Sequence, residues 1–100
     1  MTHFALIYDV VENFVERRMP FRPAHLQLLR DAEARGFLRF AGPLGEPPDG
    51  ALLVCRADAA ADVEAFARVD PYVTGGLVTA WRVRPWNIVI GAEPVAAKAP

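Results

Sequence analysis

The chain has 100 residues, 53% of them hydrophobic, with eleven basic and twelve acidic side chains for a formal net charge of −1. That length makes one domain with a modest core. It excludes a phosphate-neutralising basic face, since the only adjacent basic pair, Arg17-Arg18, follows Glu16. No apolar run approaches the roughly 20 residues of a spanning helix. The N-terminus reads as no signal peptide, and the single cysteine, Cys55, allows no internal disulfide. A reducing cytoplasm suits such a chain. So much apolar surface on so small a domain points to an oligomer, with a homodimer as the expectation.

In chain order, His3-Phe4-Ala5-Leu6-Ile7-Tyr8 reads as a buried first strand, ended by Asp9. Asn13 and Glu16 have the spacing of a capping box for a short helical turn before Pro20. The main first helix begins at Arg22-Pro23, where proline suits the first helical turn. Leu28, Leu29 and Ala32 form its apolar stripe, with His25 on the same side, and Gly36 closes it. Phe37–Ala41 is a second strand, with Arg39 turned to its wetter face. Gly42–Gly50 is a loop by composition, and Ala51–Arg56 is a third strand. Asp58 is placed to cap a second helix from Ala59 to Val69, which Asp70-Pro71 stops. Tyr72–Gly76 reads as loop and Leu77–Val83 as a fourth strand. Ile88-Val89-Ile90 has the composition of an edge or exchanged strand. The domain is expected to span 1–90, with a frayed Ala/Pro-rich tail over 91–100.

This order, βαββαβ, favours a ferredoxin-like α+β fold: an antiparallel sheet with both helices on one face. The helices then run antiparallel, so the start of the first lies beside the end of the second. His25 and Asp70, 45 positions apart (70 − 25), are expected at one end of the sheet, with Tyr8, Gly42-Pro43 and Tyr72 around them. The other sheet face carries no helix. Trp81 and Val83 are expected on it, giving an apolar surface on which two copies pair.

Histidine exchanges protons near neutral pH, so His25 is the candidate acid or base. The plainer reading is a half-buried histidine bonded to a carbonyl or to solvent. Asp70 either satisfies local backbone N–H groups before its proline or fixes the His25 tautomer. Arg22 could bind an anionic group or rest in water. Tyr8 and Tyr72 could donate phenols or line a mouth. Cys55, inside a strand, reads as core. The two histidines have no metal-ligand spacing, and Gly42-Pro43-Leu44-Gly45 does not match a phosphate loop.

The residues Arg22-Pro23-Ala24-His25-Leu26, Ala41-Gly42-Pro43 and Asp70-Pro71-Tyr72, with the glycines that follow, resemble the YciI-like (YCII-related) family over roughly positions 3 to 86. The resemblance implies a ferredoxin-like, dimeric α/β barrel and makes His25 and Asp70 a candidate active-site pair. It also implies dehydrochlorination of hydroxylated aromatic rings, or lactone and muconate-type isomerisation, without metal or organic cofactor. The short Leu44–Gly50 loop departs from relatives that carry a longer insertion there. The leading expectation is a cofactor-independent enzyme on a small polar or aromatic molecule. The alternative is a non-catalytic dimer that binds a metabolite or a partner protein in the same cleft; nucleic-acid binding is disfavoured by charge.

Overall fold

A computed structural model describes residues 1–91. Its strands are β1 (Thr2–Val10), β2 (Leu38–Leu44), β3 (Gly50–Ala57) and β4 (Val78–Pro85). Its helices are α1 (Phe14–Arg17), α2 (Arg22–Ala34), α3 (Ala60–Val69) and α4 (Pro71–Thr74). The sheet order is β2-β3-β1-β4 and every neighbouring pair is antiparallel. This is the ferredoxin-like α+β architecture, with α2 and α3 on one face of the sheet.

Strand alternation builds the core. Phe4, Leu6 and Tyr8 of β1 are buried, and the residues between them are partly exposed. Leu53 and Cys55 of β3 point the same way, as do Val63, Phe66 and Ala67 of α3 and Ala32 of α2. Fully burying one such large side chain stabilises the fold by about 1.5–3 kcal/mol, so the β1 alternation sets which face the helices cover. A second cluster of Phe14, Tyr72 and Leu77 roofs one end of the sheet.

Gly36, at φ 81°, ends α2 as expected. The Phe37 N–H reaches the Ala32 carbonyl at 3.0 Å and the Gly36 N–H reaches Glu33 at 3.0 Å, the paired bonds of a Schellman motif.

Several sequence expectations are corrected. Asn13 makes no side-chain cap: it sits at φ 58°, a left-handed conformation that asparagine tolerates, and turns the chain out of β1. The cap of α3 comes from inside the helix, where Asp62 accepts the Ala59 N–H at 3.3 Å, and not from Asp58. Gly42-Pro43 lies within β2 and not in a loop. β2 is an edge strand, and there a proline costs no ladder bond that the sheet needs. Tyr72 belongs to a helical turn, α4, and not to a loop, because Asp70 supplies its N-cap by accepting the Tyr72 N–H. Residues 88–90 form no strand; Val89 and Ile90 are exposed. Residues 92–100, most of the expected tail, lie outside the described residues.

The largest correction concerns the sheet faces. Trp81 pairs with Tyr8 and Val83 with Leu6, which puts both beneath the helices; Arg68 of α3 lies over the Trp81 ring at 5.6 Å. The uncovered face instead carries Ala5, Ile7 and Leu52 by alternation. Phe40 joins them because a bulge between Leu38 and Phe40 pairs Leu38 with Cys55 but Phe40 with Val54. Leu38 is therefore buried while Phe40 is 62% exposed. Among the described residues, no helix is long and apolar enough to cross a membrane.

Candidate active site

Asp70 is fully buried, at 0% exposure, where α3 ends and α4 begins. The residue before a proline avoids helical backbone, and Asp70 at φ −66°, ψ 125° turns its carboxylate back into the domain. Three donors meet it. The His25 Nδ1–H and the Tyr72 backbone N–H both donate to Oδ1, at 2.7 and 2.9 Å, and the Tyr8 hydroxyl donates to Oδ2 at 2.7 Å. A buried carboxylate is costly without such partners, and charge-assisted bonds of this length are the strong ones. Asp70 thus caps a helical turn and orients an imidazole with one side chain.

His25 stands in the first turns of α2, its backbone N–H on the Phe21 carbonyl at 3.0 Å. Its ring lies on the Tyr72 ring, centroids 3.6 Å apart and 7° from parallel. Phe14 meets Tyr72 edge-on at 5.4 Å, and the Arg18 guanidinium lies over Phe14 at 5.4 Å. Donation from Nδ1 to a carboxylate fixes the tautomer of the neutral ring as the one whose Nε2 accepts a proton. Among the described residues, Nε2 has no hydrogen-bond partner.

These groups border a cavity of about 210 Å³. Its polar lining is His25, Tyr8, Tyr72, Arg18 and Arg22, and β2 contributes Ala41, Gly42 and Pro43. An apolar cavity of about 150 Å³ accommodates benzene, so this one has room for a single ring with polar substituents. A roomier hollow of about 550 Å³ between Val10–Glu16 and Pro47–Asp49 includes none of these groups apart from Phe14.

Burial, and next the Asp70 charge, push the Tyr8 phenol far above its ordinary range, so Tyr8 stays a hydrogen-bond donor. Burial also raises Tyr72, against the opposing pull of the Arg18 and Arg22 guanidiniums. Cys55, at 0% exposure, is pushed up to about 12 by burial and is a core thiol.

Every candidate site residue named from the sequence lies in this one neighbourhood. His25, Arg22, Tyr8, Gly42, Pro43 and Tyr72 line the cavity, while Asp70 lies behind His25 and does not reach it. Sequence reasoning missed Arg18 and Phe14. In the sequence Arg18 stands out only as half of a basic pair; its place at the end of a helical turn beside an aromatic residue is the available signal. Among the described residues, no three His, Cys, Asp or Glu side chains converge as metal ligands.

A four-stranded ferredoxin-like sheet, with a carboxylate-held imidazole on the wall of a ring-sized cavity, defines the class: a small α+β ligand-pocket domain. The chain belongs to the YCII-related domain family, whose model matches residues 1–87. It is similar to 5-chloro-2-hydroxyhydroquinone dehydrochlorinase from Burkholderia phenoliruptrix AC1100, solved with 2,5-dihydroxybenzoquinone. The identity is 25% and the TM-score 0.73, over 85% of this chain and 93% of that one. An antibiotic biosynthesis monooxygenase shares the fold at 8% identity and a TM-score of 0.55, over 90% of this chain and 100% of that one. No curated protein matches the chain.

Proposed function

We propose that this protein is a cofactor-independent acid–base enzyme, lyase- or isomerase-like, acting on a small polar or aromatic ring. The observation that carries the reading is the 2.7 Å bond from His25 Nδ1 to the buried Asp70 carboxylate, beside a ring-sized cavity. His25 Nε2 takes a proton from the substrate. In an elimination, the electron pair left behind forms the new double bond and the leaving group departs with its own bonding pair. In an isomerisation, the same imidazolium returns the proton at another atom. Neither course needs an electron acceptor. Asp70 holds the tautomer and stabilises the imidazolium. Arg22 and Tyr72 contact the substrate, and Tyr8, Gly42 and Pro43 shape its seat. The likeness to a dehydrochlorinase solved with a dihydroxyquinone supports the lyase form.

Halide release and substrate loss, measured on a panel of chlorinated hydroxyhydroquinones and unsaturated lactones, test this. One positioned acid–base group supplies about 10²–10⁴-fold. His25→Ala should lower turnover by that factor in a protein that still folds, with a lowered melting temperature because Asp70 loses a donor. Full activity in His25→Ala rejects the role; binding without turnover across the panel favours a non-catalytic binding module.

We also propose that two copies pair through the uncovered sheet face, where Phe40, Ile7, Leu52 and Ala5 form an apolar patch flanked by Arg82 and Arg84. Light scattering at micromolar concentration should give twice the 11.0 kDa of the chain. A monomeric mass rejects the pairing.

A further inference from the structure

We propose that Arg18 and Arg22 form a two-point clamp for anionic oxygen, so the ring this site takes is an organic anion: a phenolate, enolate or carboxylate. The inference rests on the acid–base reading of the same cavity and narrows its substrate class.

The first observation is charge. Among the described residues, two guanidiniums line the cavity and no Asp or Glu does. The nearest carboxylate, Asp70, is buried behind His25 and occupied by Tyr8, His25 and Tyr72. Among the described residues, neither Arg18 nor Arg22 forms an ion pair. Two like charges facing one small space, with no counter-charge, attract an anion and repel a cation.

The second is placement against local preference. Arg22 is the first residue of α2, and no acidic residue stands in that first turn. A helix N-terminus favours negative charge, so a cation there does nothing for the helix. Proximity to the cavity accounts for it, and the helix end adds its own attraction for an anion.

The third is the setting of Arg18. Arg18 Nε is buried and, among the described residues, has no hydrogen-bond acceptor. Buried polar groups are nearly always paired. The Arg18 guanidinium lies over the Phe14 ring at 5.4 Å, a contact that consumes none of its donors. The half-buried Arg18 keeps part of its side chain exposed, and it is that part, not the buried Nε, that an anion in the cavity can reach; guanidinium is suited to anionic oxygens.

The test is calorimetric binding at neutral pH, with 2,5-dihydroxybenzoquinone and benzoate as anionic rings and hydroquinone as a neutral ring. The wild-type protein should bind at least one anion about tenfold or more tightly than hydroquinone, and added salt should erode that preference. Arg18→Gln and Arg22→Gln should each weaken anion binding about tenfold and leave hydroquinone unaffected. Arg18→Lys, which keeps the charge, should fall between and guards against a folding defect; melting temperatures are recorded for all. Equal binding of neutral and anionic rings, no binding of either anion, or full anion affinity in both glutamine variants overturns the clamp. His25→Ala separates the two ideas. Retained anion binding with lost turnover supports both. Retained turnover rejects the acid–base reading and leaves the clamp to be judged on the binding data.

Discussion

Tyr72 serves His25 from two directions. Its ring lies 3.6 Å from the imidazole and parallel to it, while its backbone N–H donates to the same Asp70 oxygen that receives His25 Nδ1–H. One residue of a four-residue helix therefore sets both the tilt of the imidazole and the position of its carboxylate partner. Four consequences can be measured.

Asp70→Asn keeps a carbonyl acceptor for His25 and Tyr72 but no longer offers an anion to the imidazolium. In the Ser-His-Asp arrangement the same change costs about 10⁴ in turnover. Here turnover should fall by about 10²–10⁴, with stability lowered by about 1–3 kcal/mol because an amide now faces the Tyr8 hydroxyl. Asp70→Ala should lose more stability, since three donors are then left without their acceptor. Unfolding in urea beside steady-state rates checks both; unchanged turnover in Asp70→Asn removes Asp70 from the mechanism.

Tyr8 predicts an alkaline weakness. Its folded-state titration lies above the ordinary 10.0. Its contribution is whole below pH 10 and declines above it, because the unfolded chain ionises first. Each pH unit above 10 should cost the wild type about 1.4 kcal/mol from this one group. Tyr8→Phe should be less stable at pH 7 by about 1–3 kcal/mol, as Asp70 loses a donor, and the gap should narrow above pH 10. Parallel slopes for the two proteins above pH 10 would contradict this.

The Cys55 thiol is fully buried and pushed up to about 12. The thiolate is the reactive form, so iodoacetamide at pH 8 should leave the native protein unlabelled and modify the urea-unfolded chain within minutes. Mass spectrometry reads the difference. Rapid labelling of native protein would mean that β3 opens locally.

Gly50→Ala should disturb the site from the sheet. A Cβ at Gly50 would lie 2.7 Å from the Tyr8 carbonyl oxygen, a backbone atom that cannot swing away. The shift forced on β1 should cost about 1–3 kcal/mol and displace the Tyr8 hydroxyl from Asp70. Denaturant midpoints for this variant and for Gly42→Ala, where a Cβ meets nothing within 4 Å, give the comparison. Equal midpoints would refute the close approach.

Periodicity and punctuation carried the sequence reading far. The alternation around Phe4, Leu6 and Tyr8, the glycine ending α2 and the Asp-Pro ending α3 are local signals with local causes, and the element order they define leaves few topologies open. That order alone was enough to bring His25 beside Asp70. Two things were decided only when strands met. The β2 bulge reversed Phe40, and pairing put Trp81 and Val83 beneath the helices. Face and register are properties of pairs of segments, and no single segment encodes its partner. The chain by itself therefore determined most of the candidate site residues and roughly where they gather. The tertiary structure decided which way they face, because hydrogen bonding between distant strands and packing between helices outweigh any local preference.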